Sequence, residues 1–200
     1  MHIVSTEQVA SGCMKIAVAE GPAFFIRTDY LLRVAPDAIC IGAEFAEADN
    51  DDILDAGFCY AAERKAAAYL ARAEQSRFML TKKLLAKKIE RKYVESALDY
   101  LENVGLLSDE RYARAWLAAR KIHHCEGRTR LASELASRGI SQHIARYALD
   151  KFFEEYSEEA QCMRALEKCL RQNISNEKIY ARLVRLGFSQ KAIKQALNEQ

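Results

Sequence analysis

The stretch SRFMLTKKLLAKKIERKYVESALDYL, Ser76 to Leu101, decides the fold because it recurs twice downstream. Laid on Gly127 to Phe152 and on Asn176 to Gln200, its anchors keep one spacing: Leu84, Leu135 and Leu183, each followed five residues later by Ile89, Ile140 and Phe188. Each copy then closes on an Ala-Leu pair, Ala97-Leu98, Ala148-Leu149 and Ala196-Leu197. Copies 51 and 48 residues apart have the period of a helical array, in which one short unit cannot bury its apolar face alone and stacks on its neighbours.

The junction inside each copy supports this. Gly139-Ile140-Ser141 and Gly187-Phe188-Ser189 each place a helix-ending Gly, an apolar residue that folds back on the core, and a Ser able to cap the next helix. In the first copy Lys88 and Glu90 stand in the Gly and Ser places, so a costlier or differently shaped bend is expected there. Upstream, the Ala-rich residues 60–75 favour helix, and Tyr93, Val94, Ala97, Leu98 and Leu101 form one apolar face of a helix stopped by Gly105. Ser108 followed by Asp109 and Glu110, and Ser157 followed by two acids, read as helix starts.

The head of the chain differs in texture. Residues 1–12 carry little pattern. Lys15–Ala19 and Ala23–Arg27 flank Glu20-Gly21-Pro22, which predicts a β-hairpin, and the acids Asp49, Asp51 and Asp52 suit the start of a helix. The expected fold class is therefore mainly α: tandem three-helix repeats forming an elongated curved helical array, preceded by a small N-terminal α+β segment with a β-hairpin. The expected segments are 1–60, 61–107, 108–156 and 157–200.

Half of the 200 residues are apolar, and only Pro22 and Pro36 are prolines, which favours helix over turn-rich β structure. The net charge of +2 hides an asymmetry: residues 1–60 hold three bases against ten acids, while 61–146 hold 18 against 10. A basic body suggests a partner rich in phosphate or carboxylate, although a basic helical face is also the ordinary form of a solvated one. The six cysteines are scattered without Cys-x-x-Cys, and there is neither a secretory pattern nor a membrane-length apolar run, so reduced thiols and a cytoplasmic location are expected.

No constellation for catalysis stands out. Phosphate-loop and dinucleotide glycine motifs are absent, and the acidic run at 49–52 does not fit a calcium loop. His123, His124 and Cys125 are adjacent, so their side chains diverge, and no complementary pair lies at zinc-site spacing; a polar inter-helix loop is the plainer reading. Cofactor, metal and enzymatic activity are accordingly expected to be none. What remains is a binding surface. Lys82, Lys83 and Lys87, with Lys88, interleave with Leu84 and Leu85 as a cationic stripe, and Arg111, Arg114, Arg120, Lys121, Arg128, Arg130 and Arg138 crowd the second copy beside Tyr112 and Trp116. Cations neutralise phosphates and rings stack bases, but an aromatic pair four residues apart on a helix is more often core.

The run Asp109-Glu110-Arg111-Tyr112-Ala113-Arg114-Ala115-Trp116, with Arg120, Gly127-Arg128-Thr129-Arg130-Leu131, Glu134-Leu135 and Arg138-Gly139-Ile140, resembles the central signature of the RecX family. Tyr69-Leu70, Lys83-Leu84, Gly105-Leu106-Leu107 and Gly187-Phe188 extend the resemblance over roughly 60–200, with Cys125, Arg128 and Lys88 departing from the family's usual Gly and Pro. The resemblance implies a regulator of the RecA recombinase that lodges in the groove of the RecA–DNA filament and suppresses strand exchange, ATPase and coprotease activities. Lys82, Lys83 and Lys87 and the seven basic residues of the second copy are the expected contacts to the RecA filament or to single- or double-stranded DNA, made by a monomer without membrane association. Reversal of Arg128 and Arg130 is expected to weaken inhibition without loss of helicity. The alternative is a nucleic-acid-binding helical module of helix-turn-helix type.

Overall fold

The computed structural model describes residues 1–198; Glu199 and Gln200, expected to close the third copy, lie outside the described residues. The chain forms two compact units, one from Met1–Ala73 with Leu80–Leu107, the other from Glu74–Met79 with Ser108 onward.

In the first unit, strands β1 (Ile3–Ala10), β2 (Cys13–Val18) and β3 (Phe24–Arg27) form an antiparallel sheet in that order. The hairpin is β2–β3, with Met14 opposite Ile26. The additional strand β1 carries no period-two signal because it is an edge strand: only Ile3 is buried, Val4 and Val9 are exposed, and its attachment is backbone pairing to β2. Ile3, Ile16 and Ile26 bury one sheet face together with Ile53 and Ala56 of helix α1 (Glu47–Leu70). At Gly57 an added Cβ would stand 3.0 Å from the Phe24 ring, so the small residue permits that close approach.

Helix α1 is a single rod of 24 residues that runs through the boundary expected at residue 60. With neither a proline nor a left-handed residue inside it, nothing interrupts the ladder. Asp52 therefore lies in its second turn rather than at its start. Buried, its carboxylate accepts the backbone N–H groups of Leu32, Arg33 and Val34 at 2.9–3.2 Å. Burial alone would raise its pKa; the three amides outweigh that and hold it below the ordinary carboxylate range. Further along, Glu63 takes two hydrogen bonds from Arg27, at 2.7 and 2.6 Å, and one from the Tyr30 hydroxyl at 3.0 Å. Asp52 and Glu63 thus fasten the end of β3 and the loop after it onto α1. Helix α2 (Arg77–Leu85) contributes Leu80 and Leu84, and α3 (Arg91–Asn103) buries Tyr93, Val94, Ala97, Leu98 and Leu101, the apolar face its spacing predicts.

The second unit has two apolar cores. Helices α4 (Asp109–His123), α5 (Arg128–Ser137) and α6 (Gln142–Glu155) enclose Ala113, Leu117, Leu131, Leu135, Ile140 and Leu149. Helices α7 (Glu158–Arg171), α8 (Asn176–Arg185) and α9 (Gln190–Asn198) enclose Cys162, Leu166, Cys169, Ile179, Leu183 and Ile193. Caps fall where the serines predict them: Ser108, Ser141, Ser157 and Ser189 accept N–H groups from Arg111, Ile144, Ala160 and Ala192 at 3.2–3.4 Å.

Across both units the turn residues Gly105, Gly139 and Gly187 have φ of 73°, 78° and 83°. Lys88 takes the same left-handed conformation at φ 61°, so the first copy keeps the bend and carries its backbone cost, about 1–2 kcal/mol for a residue with a Cβ. All six cysteines are unpaired and five are buried. Burial pushes the Cys162 thiol up to about 11, as suits a small core residue. Among the described residues no helix is long and apolar enough to cross a membrane.

Candidate interaction surface

The basic residues of the second unit must be read against a joint that the structure builds twice. Before α5, the N–H of Gly127 donates to Leu186 O at 2.8 Å, that of Arg128 to Glu158 Oε1 at 3.1 Å, and that of Thr129 to Gly187 O at 3.2 Å. Before α2, the Ser76 hydroxyl donates to Arg138 O at 2.7 Å and the Arg77 N–H to Asp109 Oδ1 at 2.8 Å. The pieces correspond: the start of one helix sits on the left-handed Gly turn of the following copy, and the acid opening that copy's first helix receives a free helix amide. Space is closed at both joints. A Cβ on Gly127 would fall on the Gly187 backbone, one on Gly187 on the Arg130 backbone, and one on Gly139 on Cβ of Phe78. With its first-turn amides taken up in this way, α5 offers no ready anion site, although its Gly-Arg-Thr-Arg start resembles one.

Beside the joint lies Glu126, 6 % exposed and flanked by the buried Cys125 and Gly127. Arg120 donates to both its oxygens at 2.7 and 3.0 Å, and Arg130 to one at 2.8 Å. Burial disfavours the charged carboxylate, but the two guanidinium groups outweigh it and hold Glu126 below its ordinary range. Of the segment expected as a polar loop, His123 and His124 are exposed, whereas Cys125 belongs to the core of α7–α9, and the Glu126 that follows is a buried charge that requires its two arginines. Among the described residues no group of side chains could hold a metal ion.

This geometry sorts the ten basic candidates. Arg120 and Arg130 are held by Glu126. Arg138 donates to Glu134 at 2.7 Å and lies over the Trp116 ring, 4.6 Å from its centroid, with Arg120 at 5.6 Å. Trp116 is half-buried against the core beneath these two cations, so it packs the helices rather than waiting for a base. Arg111 bonds Glu74 at 2.5 Å, and Arg128 bonds Asp150 at 2.6 Å while lying over Phe153. Reversal of Arg128 and Arg130 would therefore break the half-exposed Arg128–Asp150 pair and take one of its two arginines from the buried Glu126, so a loss of stability is expected beside any loss of binding. Two arrangements are looser: Arg114 reaches Glu110 only at 3.9 Å with 66 % of its side chain exposed, and Lys121 lies over the Tyr156 ring at 3.2 Å.

In the first unit, Lys82 and Lys83 occupy the last turn of α2, Lys83 facing the Tyr69 ring at 4.9 Å. Lys87 and Lys88 fall after the helix, in the left-handed turn, so the expected helical stripe ends at Lys83. The pairing of Arg111 and Arg128 is not legible in the sequence because their partners are distant: Glu74 is 37 residues from Arg111, and Asp150 is 22 from Arg128. The one local signal is acid at four-residue spacing, Glu126 to Arg130 and Glu134 to Arg138.

The model of the RecX second three-helix domain matches residues 108–149, which span α4, α5 and about half of α6. Regulatory protein RecX of Treponema pallidum (strain Nichols) is 39 % identical over 139 residues, covering 70 % of this chain and 85 % of the relative. Regulatory protein RecX of Prosthecochloris aestuarii (strain DSM 271 / SK 413) is 31 % identical over 140 residues, 68 % of this chain and 90 % of the relative. Two solved structures share the fold: a crystal structure of regulatory protein RecX, with TM-score 0.79 over 98 % of each chain at 21 % identity, and RecX from Lactobacillus salivarius, with TM-score 0.63 over 71 % of this chain and 96 % of the other at 22 % identity. With long matches at this identity, and with the signature residues forming the joint and the Glu126 cluster, the chain belongs to the RecX family of regulatory proteins.

Proposed function

We propose that this protein regulates the RecA recombinase in the cytoplasm by binding the RecA–DNA filament, lodging in its groove and suppressing strand exchange, ATPase and coprotease activities in DNA repair and recombination. The observation that carries the reading is the 39 % identity to a regulatory protein RecX over 85 % of that relative. The joints add a physical reason. Within the second unit, α4–α6 and α7–α9, joined by the backbone hydrogen bonds of Gly127 and Thr129, present their surface as one piece, so weak contacts along it act together through effective concentration. Contact is assigned to Arg114, two-thirds exposed, and Lys121 beside it in the second unit, and to Lys82, Lys83 and Lys87 on and after α2 in the first. Arg111, Arg120, Arg128, Arg130 and Arg138 act by holding the helices in place.

A helix-turn-helix reading has less support. Arginines that a recognition helix would offer to bases are committed to Glu126, Glu134 and Asp150. The test is ATP hydrolysis by RecA on single-stranded DNA with the purified protein added well below stoichiometry. Suppression is expected; undiminished hydrolysis at every ratio overturns the proposal.

A further inference from the structure

Between α4 and α6 lies an open groove of about 260 Å³ that no interior contact fills. Its floor is apolar and fixed: Leu117 and Ala148 are each no more than 2 % exposed. It stays open because the α4 residue at its rim, Ala118, is too small to close it. Three cations line it, Arg114 and Lys121 on α4 and Lys151 on α6, against one carboxylate, Glu155, which is engaged by the neighbouring Tyr156 hydroxyl.

These cations differ from the locked arginines in how weakly they are committed. Arg114 reaches Glu110 only at 3.9 Å, and Lys151 bonds Glu154 at 2.8 Å with 54 % of its side chain exposed. Such exposed pairs contribute ~0.2–1 kcal/mol and exchange readily for a better carboxylate. Among the described residues Lys121 pairs with no carboxylate and rests on the Tyr156 ring.

We propose that this groove docks an amphipathic acidic helix of a protein partner, with an apolar side chain lowered toward Leu117 and Ala148 and carboxylates meeting Arg114, Lys121 and Lys151. Arg114 and Lys121 are two helical turns apart, about 10 Å, the spacing of acids on one face of a helix laid alongside. Single-stranded nucleic acid fits less well. Stacking needs a free ring face, yet Lys121 covers Tyr156, and Phe152 is bracketed by Phe153 at 5.1 Å and Tyr156 at 5.3 Å. This deepens the regulatory reading by giving the chemistry of the partner's contact, and it rests on that reading only for the partner's identity.

The test uses the full chain and three labelled probes: a Glu-rich amphipathic helical peptide of about four turns, the same peptide with Gln for Glu, and an oligo-dT strand. Binding of the Glu peptide is expected, weakened about tenfold by Lys121→Glu with Lys151→Glu and by the charge-neutral groove-filling Ala118→Trp, with the Gln peptide bound at least as weakly. Ala118 is exposed, so the filling variant keeps its fold, as far-UV circular dichroism will verify. Equal binding of the Glu and Gln peptides, undiminished binding by Ala118→Trp, or loss of oligo-dT binding alone would each overturn the proposal. Failure of the regulatory reading looks different: the wild-type chain would bind the Glu peptide yet leave RecA hydrolysis untouched.

Discussion

The joint between the two halves of the second unit makes a prediction in which backbone and contact costs separate. Gly105, Gly127 and Gly187 are each replaced by Ala. At Gly105, φ is 73° and an added Cβ meets nothing within 4 Å, so only the left-handed backbone is penalised. That costs about 1–2 kcal/mol, offset by about 0.4–1 kcal/mol from a stiffer unfolded chain, a net of roughly 1 kcal/mol. At Gly127, φ is −85°, which Ala adopts freely, but its Cβ would fall on the carbonyl of Gly187. The obstacle is backbone, which cannot swing aside. Overpacking of this kind costs about 1–3 kcal/mol, and separation of the two backbone segments would add about 1 kcal/mol for each strained hydrogen bond, those to Leu186 O and Gly187 O. The expected net loss is about 2–4 kcal/mol. Gly187→Ala suffers both effects, with φ 83° and Arg130 backbone in the way, and should be the worst of the three. Urea midpoints measured by far-UV circular dichroism and by fluorescence of Trp116, the sole tryptophan, read the series. Wild-type stability in Gly127→Ala, or equal losses in Gly105→Ala and Gly187→Ala, would refute the joint.

Further outcomes follow from the same geometry. Lys88→Gly relieves a non-glycine residue at φ 61° and is expected to raise stability by about 0.5–1 kcal/mol in urea denaturation; an unchanged or lower midpoint would count against the strain. Glu126→Gln leaves Arg120 and Arg130 facing a neutral amide and should cost about 1–3 kcal/mol, read by the Trp116 transition, while Glu110→Gln at the exposed surface should change almost nothing. Asp52 and Glu126 are both held below their ordinary range, so their stabilisation is complete above the unfolded carboxylate pKa, near 4, and is lost as pH falls through the folded values. Acid titration should therefore lower the wild-type midpoint more steeply than that of Asp52→Asn, and identical slopes would exclude Asp52 as a contributor. On the RecA hydrolysis assay, Arg114→Glu with Lys121→Glu should weaken suppression about tenfold at unchanged helicity; full suppression would remove them from the contact.

Helix identity, the caps at Ser108, Ser141, Ser157 and Ser189, the turns at Gly139 and Gly187 and the buried face of α3 were all set by residues close together in sequence. Their causes are local: helical spacing, a hydroxyl three residues from an amide, and a backbone region that Gly enters cheaply. Tertiary structure decided everything that depended on partners far away. It made β1 a strand by pairing it with β2, and it turned Asp52 and Glu63 into anchors for the loop after β3 and for Arg27 and Tyr30. The same applies to the basic residues. Charge alone placed ten of them among the candidate contacts, yet Arg120 and Arg130 are consumed by the buried Glu126 and Arg138 by Glu134, while Arg114 and Lys121 are left beside an open groove. A sequence determines how many charges a chain carries and on which helix they ride. Whether a charge faces a partner or a buried acid depends on which segments pack together, and only the folded chain supplies that.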